Sequence, residues 1–207
     1  MRFGVLVSGT GTNLQALLDA EARGALAPAE IACVVSNRPG AGALARARAA
    51  EKPALTVDHK LFPAREPFED ALLGVLAEHA VEAVVLAGFM RILTPRFIDR
   101  FADRILNIHP SLLPSFPGVD AQRQAFEHGV KVTGATVHFV DAGLDGGAIV
   151  LQAPVPVADD DTVETLRAKI LEREHEILPR AVALLAAGRL ERDGRRVRLK
   201  PAPAVLP

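Results

Sequence analysis

FGVLVSGTGTN, Phe3 to Asn13, running directly into LQALLDAEAR, Leu14 to Arg23, is the stretch that decides the fold class. Phe3 to Val7 is an apolar run of strand length closed by Ser8, and Leu14, Leu17 and Leu18 then recur at helical spacing. Between the two, glycine permits φ > 0 and Thr12 or Asn13 offers a helix cap. A strand, a glycine turn and a helix open an α/β fold. The turn itself has two readings: Gly9, Gly11 and the amides of Thr12 and Asn13 cradle a phosphate at a helix N-terminus, or they form a plain βα turn. No lysine follows the second glycine and the third glycine of a dinucleotide fingerprint is replaced, so neither specific phosphate motif is met.

Working outward, the same alternation repeats. Ile31–Ser36, Ala54–Val57, Ala83–Ala87 and Ile105–His109 read as strands, and Gly42–Ala50, Phe68–His79 and Pro95–Phe101 as helices. The continuously apolar Ala83–Ala87 suits a strand covered on both faces, as in a parallel sheet. His59–Pro67, with Arg65, reads as a proline-punctuated loop, and the apolar residues of GFMRIL, Gly88–Leu93, as the lining of a pocket or, taken in isolation, as a continuation of the core. Further on come a short helix over Asp120–His128 and an alternating strand over Lys131–Val140 with Gly134 weakening its middle. A strand over Ile149–Val157 follows. A long helix runs to about Ala187, capped through Asp161 and Glu164 and bent at Pro179. RLERDGRRVRL reads as a hairpin turned at Asp193-Gly194. The expected architecture is α/β: a Rossmann-like open twisted sheet, mainly parallel in the N-terminal half with antiparallel strands added in the C-terminal half, helices on both faces.

Composition narrows the function. The chain has 207 residues, 49% of them hydrophobic, and a formal net charge of -1. That is enough for one core, and it lacks the basic field that holds nucleic acid. Cys33 is the single cysteine, so no internal disulfide forms and a thiolate metal cluster is excluded; a reducing cytoplasm is expected. The N-terminal apolar run is too short to span a membrane. Strand two ends in Asn37 and Arg38 where an NAD enzyme presents an acid, which disfavours NAD. Arg38 leaves an NADP-linked reductase as an alternative beside the reading of a solvated loop charge.

The most reactive side chains gather in ILNIHPSLLPSFPG, Ile105–Gly118. Asn107 and His109 lie two apart on a strand and share one face, while Leu106 and Ile108 anchor the other. Pro110 ends the strand, and Pro114 and Pro117 stiffen the loop. The strand's C-terminal end lies on the rim where open α/β sheets bind ligands, which places this pair beside SGTGTN. His138 reads as structural, and DAGLDGG, Asp141–Gly147, as an acidic turn that would be solvated if it stood alone. The Asp159–Asp161 run suits a helix N-terminus without a metal. Glu174 and His175 sit on the long helix as polar-contact candidates.

SGTGTN, AGFMRIL, NIHPSLLPSFPG, ATVHFVDAGLDGG and EREHEILP occur in one order, and together they resemble the phosphoribosylglycinamide formyltransferase family from Phe3 to about Leu190. The resemblance implies a single domain over residues 1–207, with a nucleotide-binding half over about 1–103, a catalytic and folate-binding half over about 104–190 and a hairpin over about 189–200. It implies a metal-free enzyme with 10-formyltetrahydrofolate as co-substrate and glycinamide ribonucleotide as acceptor, acting as a monomer or homodimer in the cytoplasm, with no nucleic acid or membrane partner. By resemblance Asn107, His109 and Asp145 are the catalytic trio. Amine attack on a formamide develops an oxyanion that an amide and an imidazolium can meet, and Asp145 would favour that imidazolium. Gly11, Thr12 and Asn13 would hold the ribonucleotide phosphate and Glu174 its ribose hydroxyls. Arg65, Met90, Arg91, Ile92, Leu93, Asn107 and the loop Asp141, Ala142, Gly143, Leu144, Asp145 would hold the folate.

Two departures from the family are visible: Val119-Asp120-Ala121-Gln122 stands where many relatives carry a histidine, and Leu171 where some place a polar side chain. The nearest alternatives share the formyl-folate domain. A methionyl-tRNA formyltransferase is expected to need an added RNA-binding domain and basic charge, and a formyltetrahydrofolate deformylase an N-terminal regulatory domain and a histidine in place of Pro110. A non-catalytic nucleotide or folate sensor is the remaining alternative.

Overall fold

The computed structural model describes residues 1–201. A seven-stranded sheet with order β3-β2-β1-β4-β5-β6-β7 forms its centre. Its strands are β1 (Arg2–Val7), β2 (Glu30–Ser36), β3 (Ala54–Thr56), β4 (Ala83–Leu86), β5 (Ile105–His109), β6 (Val132–Phe139) and β7 (Ile149–Pro156). β1 to β5 pair in parallel, and only β6 is reversed, pairing antiparallel with both β5 and β7. The α/β class and the mixed C-terminal half expected from the sequence are those observed.

The helices are α1 (Thr12–Ala22), α2 (Gly42–Ala49), α3 (Arg65–Glu78), α4 (Pro95–Arg100), α5 (Ala121–Glu127) and α6 (Val163–Ala186). One face of the sheet buries Leu14, Leu17 and Leu18 of α1 and Leu166, Ile170, Ile177 and Leu178 of α6 against Val5, Leu106, Ile108, Val137 and Phe139. The other buries Phe68, Leu72 and Leu76 of α3 and Phe97 of α4 against Leu6, Val84, Leu86 and Ile105. At roughly 1.5–3 kcal/mol per fully buried large apolar side chain, these two layers dominate the stabilisation. Helix cover on the second face stops at β5. On β5 and β6 that face carries Asn107, His109, Thr136 and His138 in place of apolar residues, with Asn107 opposite His138 and His109 opposite Thr136.

Several local expectations are corrected. The N-cap of α1 is Gly11 at φ 79, and neither Thr12 nor Asn13 caps it, because a residue in the left-handed region is needed there and Ala43 packs where a Cβ would stand. Arg65 begins α3 instead of lying in a loop, since Pro67 falls in the first turn, where it leaves no helical acceptor unused. The capping box of α6 is Thr162 with Thr165, one residue beyond the Asp161/Glu164 register; Asp161 accepts instead from Ala158 N, Thr165 Oγ1 and Lys169 Nζ. α6 runs unbroken through the buried Pro179. β6 is buried from Thr133 onward, so both its faces are covered, and Gly134 is a close approach: a Cβ there would lie 2.1 Å from Ala153 O. The C-terminal hairpin, β8 (Leu190–Asp193) with β9 (Arg196–Leu199), turns through Gly194-Arg195, one residue later than read.

Candidate active site

The polar face of β5 and β6 is roofed by two loops. The first, Pro110–Gly118, is tied down by a chain of buried bonds. Thr136 Oγ1 donates to Ser111 O at 2.7 Å and accepts from Leu113 N at 3.1 Å, and Ser111 Oγ donates to Ser115 O at 2.6 Å. Gln152 Nε2 adds a bond to Leu113 O at 2.9 Å. The second loop, Val140–Ala148, leaves the sheet level with the start of β5, since Val140 N bonds to Ile105 O. It folds back over the strand, a distance of about 13 Å at ~3.3 Å per residue, and delivers Asp145 to His109 at the strand's other end. Gly147 permits the turn: a Cβ there would lie 1.7 Å from Phe139 O. The acidic turn does not stand alone: it is a lid on the sheet face, and Asp145 is 12% exposed in its side chain.

Asp145 sits at φ 50 with Oδ2 accepting from Gly118 N at 2.7 Å and lying 3.4 Å from His109 Nδ1. His109 is buried, and its Nε2 lies 2.9 Å from Phe116 O. A carbonyl can only accept, so Nε2 carries a proton. Nδ1 faces the Asp145 carboxylate, so both ring nitrogens lie beside oxygen atoms. His138, read as structural, belongs to this cluster. Its Nδ1–H donates to Phe139 O at 2.9 Å, which leaves Nε2 to accept from Asn107 Nδ2 at 3.0 Å. Burial pushes the His138 imidazolium pKa down, keeping the ring neutral as that acceptor role requires. One N–H of the Asn107 amide is held by His138 and the second remains for another acceptor. The alternation of β6 was the signal that could have found His138: it lies on the Thr136 face, opposite Asn107.

The glycine turn closes the rim. Thr12, Asn13 and Leu14 open α1, so their amides have no helical acceptor behind them. Asn13 Nδ2 donates to Glu174 Oε2 of α6 at 2.9 Å, joining two residues 161 apart in the chain. Glu174 is buried, and desolvation pushes its carboxyl pKa up to about 7 against the opposing Asn13 bond. Ser8 Oγ accepts from Met90 N at 2.8 Å and donates to Asn37 Oδ1 at 2.6 Å, which ties the turn to the segment after β4. In that segment Phe89 and Leu93 enter the core, but Met90 and Ile92 are 62% and 60% exposed, so the reading of a simple core continuation is corrected. Thr94 bonds to the buried Glu69 of α3 and caps α4, which returns the chain to the core layer through Phe97. Leu144 is 61% exposed beside Gly118 and adds apolar surface to the same rim. Arg65 and Arg91 are exposed, and no bond links either to the cluster. Asp141 Oδ1 accepts from Gly143 N at 2.9 Å and shapes the lid, with Ala142 between them. No group of three or more His, Cys, Asp or Glu side chains suited to a metal ion occurs among the described residues.

A parallel sheet with one reversed strand, a glycine turn opening a helix and a buried Asn/His/Asp cluster under a folded-back loop make a site suited to polar group-transfer chemistry on a small molecule. The formyl transferase family model matches residues 1–182, and the chain belongs to that family and, within it, to the phosphoribosylglycinamide formyltransferases. It is 46% identical over 189 residues to the phosphoribosylglycinamide formyltransferase of Haemophilus influenzae, with 91% of this chain and 89% of that protein covered. It is 49% identical over 194 residues to the trifunctional purine biosynthetic protein adenosine-3 of Drosophila pseudoobscura pseudoobscura, spanning 92% of this chain but 14% of that much longer protein. Among solved structures, glycinamide ribonucleotide transformylase 1 from Symbiobacterium toebii superposes with a TM-score of 0.95 at 54% identity, covering 97% of this chain and 94% of that one.

Proposed function

We propose that this protein transfers the formyl group of 10-formyltetrahydrofolate to the amine of N1-(5-phospho-D-ribosyl)glycinamide, giving the formylglycinamide ribonucleotide and tetrahydrofolate in purine biosynthesis. The observation that carries the reading is the convergence of Asn107, His109, His138 and Asp145 on the part of the second sheet face beyond α3 and α4, within a chain whose relatives bear this activity in their names. In the reaction the amine nitrogen bonds to the formyl carbon, the bond from that carbon to N10 of the folate breaks, and the proton lost by the amine is matched by one gained at N10. Negative charge develops on the formyl oxygen between these events. The free N–H of Asn107 and the positive charge of a protonated His109 meet it, a hydrogen-bond donor such as the Asn107 amide being worth about 10²–10³ in rate. To donate directly, His109 must release Phe116 O or Asp145; from its present position it acts through its charge.

The amides of Gly11, Thr12 and Asn13 take the ribonucleotide phosphate, and Glu174 accepts from its ribose hydroxyls. The exposed edge Met90–Arg91–Ile92–Leu93 and the lid from Asp141 through Leu144 to Asp145 offer an apolar slot with backbone donors for the pterin, and Arg65 a cation for the glutamate carboxylates. No residue of the reading requires a metal. The protein is proposed to work in the cytoplasm as a single-domain monomer or homodimer on these small molecules alone; no described helix is long and apolar enough to cross a membrane. The deciding experiment follows tetrahydrofolate release from 10-formyltetrahydrofolate with and without the ribonucleotide. Release that depends on the ribonucleotide supports the transfer, and equal release without it replaces the reading with a hydrolase.

A further inference from the structure

A second cavity, of about 620 Å³, opens at the C-terminal ends of β1, β2 and β3, lined by residues 8–10, 38–42 and 58–60. Gly11, Thr12, Asn13 and Glu174 do not line it, so it adjoins the turn described above through residues 8–10 and leaves out the amides and the carboxylate assigned to the ribonucleotide. Its chemistry is that of an anion site. Arg38 and Lys60 are exposed at its mouth, and their side chains form no ion pair with a described carboxylate. His59 donates Nδ1–H to Asn37 O at 2.9 Å, which leaves Nε2 as its free ring nitrogen. The amides of Gly9, Thr10, Gly40 and Gly42 bond to no described backbone acceptor. Asp58 brings the one carboxylate; its Oδ1 accepts from Lys60 N at 3.0 Å and lies 3.7 Å from His59 Nδ1, so two cationic side chains, Arg38 and Lys60, stand against this single negative charge.

The glycines carry the argument further. A Cβ at Gly9 or Gly40 would meet nothing within 4 Å, and neither residue takes a positive φ. Neither packing nor backbone conformation calls for glycine at these two positions. What their bareness does is keep backbone N–H groups reachable from the cavity. The placement adds the ligand class: in doubly wound sheets the end of the second strand meets the sugar of a bound nucleotide, and an arginine there suits a phosphate where an acid suits hydroxyls. The volume accommodates a nucleoside as well as its phosphate.

We propose that this cavity binds the phosphomonoester of a nucleotide at a site independent of the formyl-transfer centre. The test is isothermal titration of the full-length chain with adenosine 5′-monophosphate and, separately, with inorganic phosphate. Arg38→Ala/Lys60→Ala and Gly40→Val should each weaken adenosine monophosphate at least tenfold with unchanged circular dichroism. Glu174→Gln should leave its affinity unchanged, and inorganic phosphate should bind at least tenfold more weakly. No binding to the unaltered protein, full affinity in the Arg38/Lys60 variant, or loss in Glu174→Gln would each overturn the site. Inorganic phosphate binding as tightly as the nucleotide would overturn the nucleotide assignment. Because the readout is binding, these outcomes stand apart from whether formyl transfer occurs.

Discussion

Glu174 shows what a functional residue costs its own fold. Its carboxyl is buried with one neutral donor, Asn13, and its pKa rises to about 7. A carboxyl whose folded pKa lies above its unfolded one binds its proton more tightly when folded. Its contribution is therefore full below about pH 4.5, declines as pH rises toward 7, and levels off above that. Glu174→Gln should remove this decline and raise stability at pH 8 by on the order of 1–3 kcal/mol relative to pH 5, read from urea unfolding at both pH values. The same variant should bind the ribonucleotide more weakly. At the cluster, His109→Ala and Asp145→Asn should each lower kcat by about 10²–10⁴ with the circular dichroism spectrum unchanged; full turnover in both would remove the trio from the mechanism. His138 acts through Asn107, so His138→Gln, which can still accept from that amide, should keep more of kcat than His138→Leu, with KM little changed in either. Asn107 and His109 were legible as a pair from their spacing of two on a short apolar strand. The roles of Asp145 and Glu174 came only through the family resemblance, because nothing local distinguishes a functional acid in a glycine turn or on a helix from one that is solvated or in plain polar contact.

At the scale of elements, the Pro110–Gly118 loop is held by side chains of β6 and β7 in addition to its own prolines. Thr136 serves both Ser111 O and Leu113 N and also accepts from Gln152, so Thr136→Val strands buried polar groups at once. It should cost about 1–3 kcal/mol in denaturant unfolding and reduce kcat as the loop loses its register. Unchanged stability would mean that the loop is held elsewhere. The sequence periodicity located strands and helices to within a few residues, yet missed who caps whom. Thr162 and Asp161 are both acceptable N-caps, and the choice between them depends on Lys169 and Ala158 drawing Asp161 away. The exposed Met90 and Ile92 were likewise unreadable locally, since an apolar side chain at a site rim and one in a core look the same in a sequence.

At the scale of the whole molecule, the site forms where two helical layers run out. α3 and α4 cover one sheet face as far as β5, and loops take over beyond it. The C-terminal hairpin lies outside this arrangement, touching the core through the half-buried Leu190 and Val197. A chain ending at Gly188 should therefore melt at a lower temperature but keep ribonucleotide-dependent turnover within about twofold, since burial of two partly exposed residues is worth only a few kcal/mol; loss of turnover in a folded truncation would tie the hairpin to the site. What the sequence by itself determined is the α/β class, the strand that carries Asn107 and His109, and the glycine turn, all of them encoded in short-range periodicity and glycine placement. Only the tertiary structure decided that the Asp141–Gly147 loop folds back over β5, that His138 faces Asn107, and that Glu174 meets Asn13. Each of these joins residues from distant parts of the chain, and such a meeting depends on strand order, register and helix cover, which no local pattern records.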